Sequence, residues 1–155
     1  MTHQTNLATK FAPSGLLLET ETALGRAIEE FAVAKTPYSP TILDLLVRLS
    51  LATDGQLRGV DLCRQMLKSP GHVSRVIDDA EKEGLVARQP DPDDRRAQLI
   101  SLTEVGDATL TTFIPDVVRV LDQTIYTALA DDEVRTLVDL LSRVNGAIHN
   151  LLERH

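Results

Sequence analysis

A single cysteine stands in this sequence of 155 residues, tryptophan is absent, and aromatic residues make up only 3%. Cys63 has no second thiol to pair with, so no disulfide within the chain can staple the fold. No basic, apolar, small-residue leader opens the sequence, and with the lone thiol this points to a reducing cytoplasm. The longest uninterrupted apolar run is residues 31–34, far short of the roughly 18 that a membrane span requires. Missing too are a P-loop, a dinucleotide glycine fingerprint, a nucleophile elbow and the HExxH pattern. Carboxylates such as Asp78, Asp79 and Glu81 read as a wetted helix face, so an enzyme is the least supported class and no cofactor is implied. What remains is ordinary globular composition, 43% hydrophobic and 25% charged, at one-domain length. A chain of this size buries a core without metal or disulfide support.

Acidic residues outnumber basic ones by 23 to 16, a formal charge of −7 that argues against a polyanionic partner. That charge is unevenly placed. Residues 53–102 carry eight basic side chains against nine acidic, so nearly all of the excess acidity lies outside the middle of the chain. An anion can dock only there, and only on a few placed arginines.

Residues 1–10 are polar and without period, and read as a flexible tail. From Leu17 the positions Leu24, Ala27, Ile28 and Phe31 keep helical spacing, and the helix must end before Pro37. Ser39 followed by Pro40 is a cap-then-proline start, and Ile42, Leu45, Leu46 and Leu49 supply the apolar stripe of a second helix. After a turn with a short extended piece, Leu62, Cys63, Met66 and Leu67 mark a short third helix. Ser69 and Pro70 repeat the start signal for a fourth, with Val73, Val76, Ile77 and Ala80 on its dry face and Gly84 beyond its end. Residues 85–89 and 97–102 alternate as strands around a polar loop, a hairpin with a long tip. A fifth helix follows Thr103 and is expected to bend near Pro115. Asp131 is expected to cap a sixth, whose Val134, Leu137, Leu141, Val144, Ile148 and Leu151 form a heptad-like seam.

Three short helices and a hairpin are the helix-turn-helix plan with an added wing, a mainly α fold with a small β-hairpin. With its apolar stripe inward, the fourth helix turns Gly71, His72, Ser74, Arg75, Asp78 and Asp79 outward. Its amino-terminal half suits a major groove. Gly71 admits close backbone approach, Ser69 and the helix end address a phosphate, and Arg75 reaches a guanine edge or phosphate oxygens. His72 either contacts DNA or is merely solvated. Asp78 and Asp79 would repel DNA unless they lie where the helix leaves the groove or pair with nearby cations. On the hairpin tip, Arg95 or Arg96 can enter a narrow minor groove while Asp94 braces the loop.

The run SPGHVSRVIDDAEKEGLVARQPDPDDRRAQLISLTEVG resembles the MarR (multiple-antibiotic-resistance regulator) family, through Val73, Arg75, Gly84, Leu85, Val86, Arg88, Asp94, Arg96, Leu102, Thr103 and Gly106. The resemblance implies a homodimer of winged helix-turn-helix protomers that binds a pseudopalindromic operator in double-stranded DNA and commonly releases it when a small-molecule effector binds. It also implies an effector cleft, for which Tyr38 and Tyr126 are the candidate lining residues. Gly59 and Val60 stand where relatives usually open the third helix on a hydroxyl residue, so a poorly capped start is expected.

The division expected is a winged region at 37–103 and a helical dimerisation region at 11–36 and 104–155, in one integrated domain. Apolar stripes on the first, fifth and sixth helices exceed what the small winged core can cover, which favours a second copy. Cys63, beside Leu62 and Met66, reads as a buried small hydrophobe rather than a redox sensor. His149 and Glu153 share a helix face with His155 nearby, but no third ligand is evident and no metal site is expected. The competing class is a dimeric ligand- or protein-binding module with little DNA affinity, which the net acidity keeps open.

Overall fold

The computed structural model describes residues 2–31, 33–94, 96–152 and 154, with the backbone alone for 2–10 and 35. The chain divides into two compact units, Met1–Val117 and Val118–His155. The first holds α1 (Thr2–Phe31), a 3-10 turn (Val33–Lys35), α2 (Pro40–Ser50), β1 (Gln56–Arg58), α3 (Gly59–Met66), α4 (Pro70–Lys82), β2 (Val86–Pro90), β3 (Gln98–Leu102) and the start of α5 (Glu104–Ala128). The second holds the rest of α5 and α6 (Asp131–Leu152). The architecture is a helical protein with a small antiparallel sheet, the winged helix-turn-helix plan.

Helix starts follow the capping chemistry. Ser39 and Ser69 are extended residues whose hydroxyls accept the N–H of Ile42 and His72, and each is followed by a proline at the first helical position. The stripes that define these helices become the core: Leu45, Leu46, Leu49, Val73, Val76, Ile77 and Ala80 are buried, joined by Leu43 and by Leu62 of α3. As expected, α3 opens without a side-chain cap, on Arg58. It ends on Leu67, a left-handed residue with φ 51° whose side chain is 61% exposed. That conformation strains a residue carrying a Cβ.

The sheet has three strands in the order β1-β3-β2, where the sequence suggested only a hairpin. The short extended piece before α3 is the third strand, with Leu57 opposite Ile100 and half-buried against the core. At the end of α4, Gly84 takes φ 71° and turns the chain into Leu85, which is fully buried. A close joint ties this turn to the start of α5. Thr103 donates its hydroxyl to the Gly84 carbonyl at 2.5 Å and its N–H to the Leu85 carbonyl at 3.1 Å, and its hydroxyl accepts the Gly106 N–H. A Cβ on Gly106 would lie 2.0 Å from the Leu85 carbonyl oxygen, so only glycine fits there.

Several expectations are corrected. Residues 2–10 are helical rather than a tail: they contain no glycine or proline, so nothing in them stops α1, which runs on through Pro13. Asp131 is the first helical residue of α6 rather than its cap, and Glu133 turns back to accept the Ala130 N–H at 2.9 Å. The seam of α6 is present, yet no residue of α6 is buried. Among the described residues no helix is long and apolar enough to cross a membrane.

Candidate nucleic-acid interface

The outer face of α4 is built as its periodicity requires. Gly71, Ser74 and Arg75 are exposed beside Ser69 and Pro70, and Asp78 and Asp79 follow one turn later. A Cβ at Gly71 would meet nothing within 4 Å, so no packing constraint within the chain accounts for the glycine. Arg75 lies back along the helix and donates its Nε–H to the Gly71 carbonyl at 3.1 Å, which poises the guanidinium over the amino-terminal turn. His72 departs from the expected exposed position: it is half-buried, and its Nε2 is enclosed without a hydrogen-bond partner among the described residues.

Two cations meet the acidic half of α4, one from the wing and one from the helix itself. Arg88 of β2 reaches Asp78 through Nη2 at 2.5 Å and Glu81 through Nη1, and its side chain is 20% exposed. Burial opposes its charge, but the hydrogen bonds and charges of Asp78 and Glu81 outweigh that opposition and hold the guanidinium above its ordinary range. Lys82 pairs with Asp79 at 3.3 Å. The expected repulsion of a polyanion is thus muted by pairing with nearby cations.

The wing loop is organised by two aspartates. Asp94, the expected brace, accepts the Arg96 backbone N–H at 3.0 Å, and its carbonyl accepts the Ala97 N–H at 2.9 Å. It holds the main chain of Arg96 while the Arg96 side chain stays exposed. Asp91, which the sequence did not single out, is a buried residue at 3% exposure and accepts from Arg58 Nε at 2.5 Å and from the Asp93 N–H at 2.8 Å. The Asp93 N–H, aided by Arg58 and against burial, pulls its carboxyl below the usual range, while the Arg58 guanidinium is raised by its hydrogen bond to Asp91. Arg95, the other candidate for the minor groove, lies outside the described residues.

Between α3, α4 and the wing lies an open cleft of about 710 Å³, whose wall includes Cys63, Ser74, Arg88 and Arg96. Cys63 is therefore half-buried at a cleft wall rather than sealed in the core, because the short α3 leaves that flank open. The two tyrosines fall in different units. Tyr38 packs half-buried against the core of the first unit and borders a smaller hollow with Ile42, Lys82 and Glu83, whereas Tyr126 is 55% exposed in the second. His149 bonds to the Asn145 carbonyl at 2.9 Å, and Glu153 and His155 lie outside the described residues. Among the described residues no three His, Cys, Asp or Glu side chains cluster as metal ligands.

Comparison with known proteins places this geometry in company. A family model described as MarR family matches residues 42–97. The HTH-type transcriptional regulator MhqR of Bacillus subtilis is 31% identical over 80 residues, 52% of this chain and 54% of that protein, so the match spans about half of each. Among solved structures, the fold follows AbsC, a MarR family transcriptional regulator from Streptomyces coelicolor, with a TM-score of 0.79 at 23% identity, over 92% of this chain and 95% of that one. It also follows a mutant MarR from E. coli complexed with operator DNA, with a TM-score of 0.70 at 27% identity, over 89% and 97% of the two chains.

Proposed function

We propose that this chain, built around a MarR-family winged helix-turn-helix segment, is a transcriptional regulator that binds a pseudopalindromic operator as a homodimer. Helix α4 enters the major groove by its amino-terminal half, with Ser69 and the helix end on phosphate and Gly71, Ser74 and Arg75 facing base edges. Of the two wing arginines the sequence offers, Arg96, exposed on the loop, addresses the minor groove. The observation that carries this reading is the charge arrangement on α4: an exposed, small and cationic first half, joined to an acidic second half whose carboxylates are held by Arg88 and Lys82. The E. coli relative seen with operator DNA supports it.

The partner copy follows from what the single chain leaves uncovered. On α1, Phe11, Leu16, Leu17 and Leu18 are exposed, and on α6 so are Leu141, Val144, Ile148 and Leu151. The exposed apolar surface of α1 and the one-sided apolar face of α6 favour association with a second copy. Two α4 helices about 34 Å apart would then meet successive major grooves on one face of the duplex. In this reading the helical arms at 11–36 and 104–155 are the dimerisation region, 37–103 is the DNA-binding region, and a small-molecule effector releases the operator.

Selection of bound duplexes from a random pool tests the proposal, because an inverted repeat with fixed half-site spacing is the expected product. The net acidity keeps one rival, a dimeric ligand- or protein-binding module. The two separate by salt: a regulator shows log affinity falling by about 0.9 per decade of salt for each phosphate it neutralises, and the rival shows no duplex binding at any salt.

A further inference from the structure

The only buried charged residue among the described residues lies outside the surface offered to DNA, at the root of the wing. Asp91 is the first residue after β2, and its backbone N–H donates to the Ala97 carbonyl at 3.1 Å, closing the loop on itself. A buried carboxylate is unfavourable unless it is hydrogen-bonded and paired. Two donors to its side chain divide that task. The Asp93 N–H is local, within the loop, whereas Arg58 comes from the far edge of the sheet. Arg58 stands opposite Leu99 of β3, and Leu99 stands opposite Gln89 of β2 on the other side. The Arg58–Asp91 pair therefore reaches across the central strand and joins one edge of the sheet to the loop that leaves the other. Arg58 is also the residue from which α3 opens, so the same guanidinium ties the wing to the helix-turn-helix.

We propose that Arg58 and Asp91 are positioning residues for the wing: their ion pair sets where the loop carries Arg96, and through Arg96 it sets the preference for sequence flanking each half-site. This inference rests on the DNA-binding reading above. The two braces act at different ranges. Asp94 shapes the backbone at Arg96 through an adjacent turn, and the Arg58–Asp91 pair fixes that turn relative to α3 and α4. Of the two, only the Asp91 carboxylate is buried. Asp91 has its charge held by Arg58 and the Asp93 N–H and stays ionised across the neutral range.

The test measures duplex affinity by fluorescence anisotropy for wild type, Asp91→Asn, Arg58→Gln, Arg58→Lys and Arg96→Ala, each on a selected operator with A·T-rich or G·C-rich flanks. Asp91→Asn and Arg58→Gln are expected to weaken binding about tenfold on A·T-rich flanks, the scale of one lost groove contact, and under about threefold on G·C-rich flanks. Arg58→Lys, which keeps the charge, recovers part of the loss. In an Arg96→Ala background Asp91→Asn costs nothing more, because the side chain it positions is gone. Equal loss on both flanks, or an undiminished loss in the Arg96→Ala background, overturns the proposal. So does loss in Arg58→Gln without loss in Asp91→Asn, which makes Arg58 a direct phosphate contact. Should wild type bind neither duplex, the DNA-binding reading fails, and the latch is judged by amide exchange: faster exchange at residues 94–97 in Asp91→Asn supports it, and unchanged exchange sinks it. Should Asp91→Asn not fold, Arg58→Gln on the same duplexes decides.

Discussion

Two amphipathic helices with equally regular stripes have opposite fates. In α4, the four residues that periodicity assigns to the dry face are all buried, under α2, α3 and the sheet. In α6, the six residues of the seam are as well spaced, and no residue is buried. Helical period reports which face avoids water and is silent about what covers it. In α4 the cover is supplied by the same chain, through α2 and α3. For α6 we propose a second copy, and the contrast between a self-sufficient reading head and an incomplete support is what the following experiments attack.

The largest effect is expected from Leu141→Asp. A charge in the seam of α6 should turn a dimer into a monomer by sedimentation and lower operator affinity more than a hundredfold, since two half-sites no longer bind as one. Retained dimerisation would remove α6 from the interface. Arg75→Ala attacks the other helix. Operator affinity should fall about a hundredfold, the scale of one to three kcal/mol for a lost base contact in each of two half-sites, with dimer and helix content intact. If affinity holds, Arg75 does not read DNA.

Gly106→Ala probes how self-sufficient the winged half is. Its Cβ would collide with the Leu85 carbonyl, and backbone cannot yield as a side chain can. A loss of about 3 kcal/mol in thermal or denaturant unfolding is expected. Leu67→Gly should act in the opposite direction and least. Relief of the left-handed strain exceeds the added flexibility of glycine, so stability should rise by roughly 0.5–1 kcal/mol. A fall would mean that the exposed Leu67 side chain makes a stabilising contact.

The winged half was legible because its signals are local. Ser39 with Pro40, Ser69 with Pro70 and the glycine after α4 mark helix ends by chemistry confined to a few residues, and the stripes between them name the core. Three things escaped. A three-residue strand such as β1 is too short to show alternation, so only its pairing with β3 reveals it. A polar stretch such as 2–10 has no period, yet it carries no helix breaker either, and α1 propagates through it. The Arg58–Asp91 pair joins residues 33 apart, a separation at which sequence offers no register. Within the candidate site, exposure of Gly71, Ser74, Arg75 and Arg96 followed from helical phase and loop polarity. The half-burial of His72 did not, because it depends on how the ring folds against its neighbours. Arg88 stood out in the sequence, but its two carboxylate partners on α4 emerged only once β2 lay beside that helix.

The joint at Thr103 and Gly106 works as a weld. Because these residues are stitched to Gly84 and Leu85, at the foot of α4, the first turn of α5 cannot shift without dragging the turn between α4 and β2 with it.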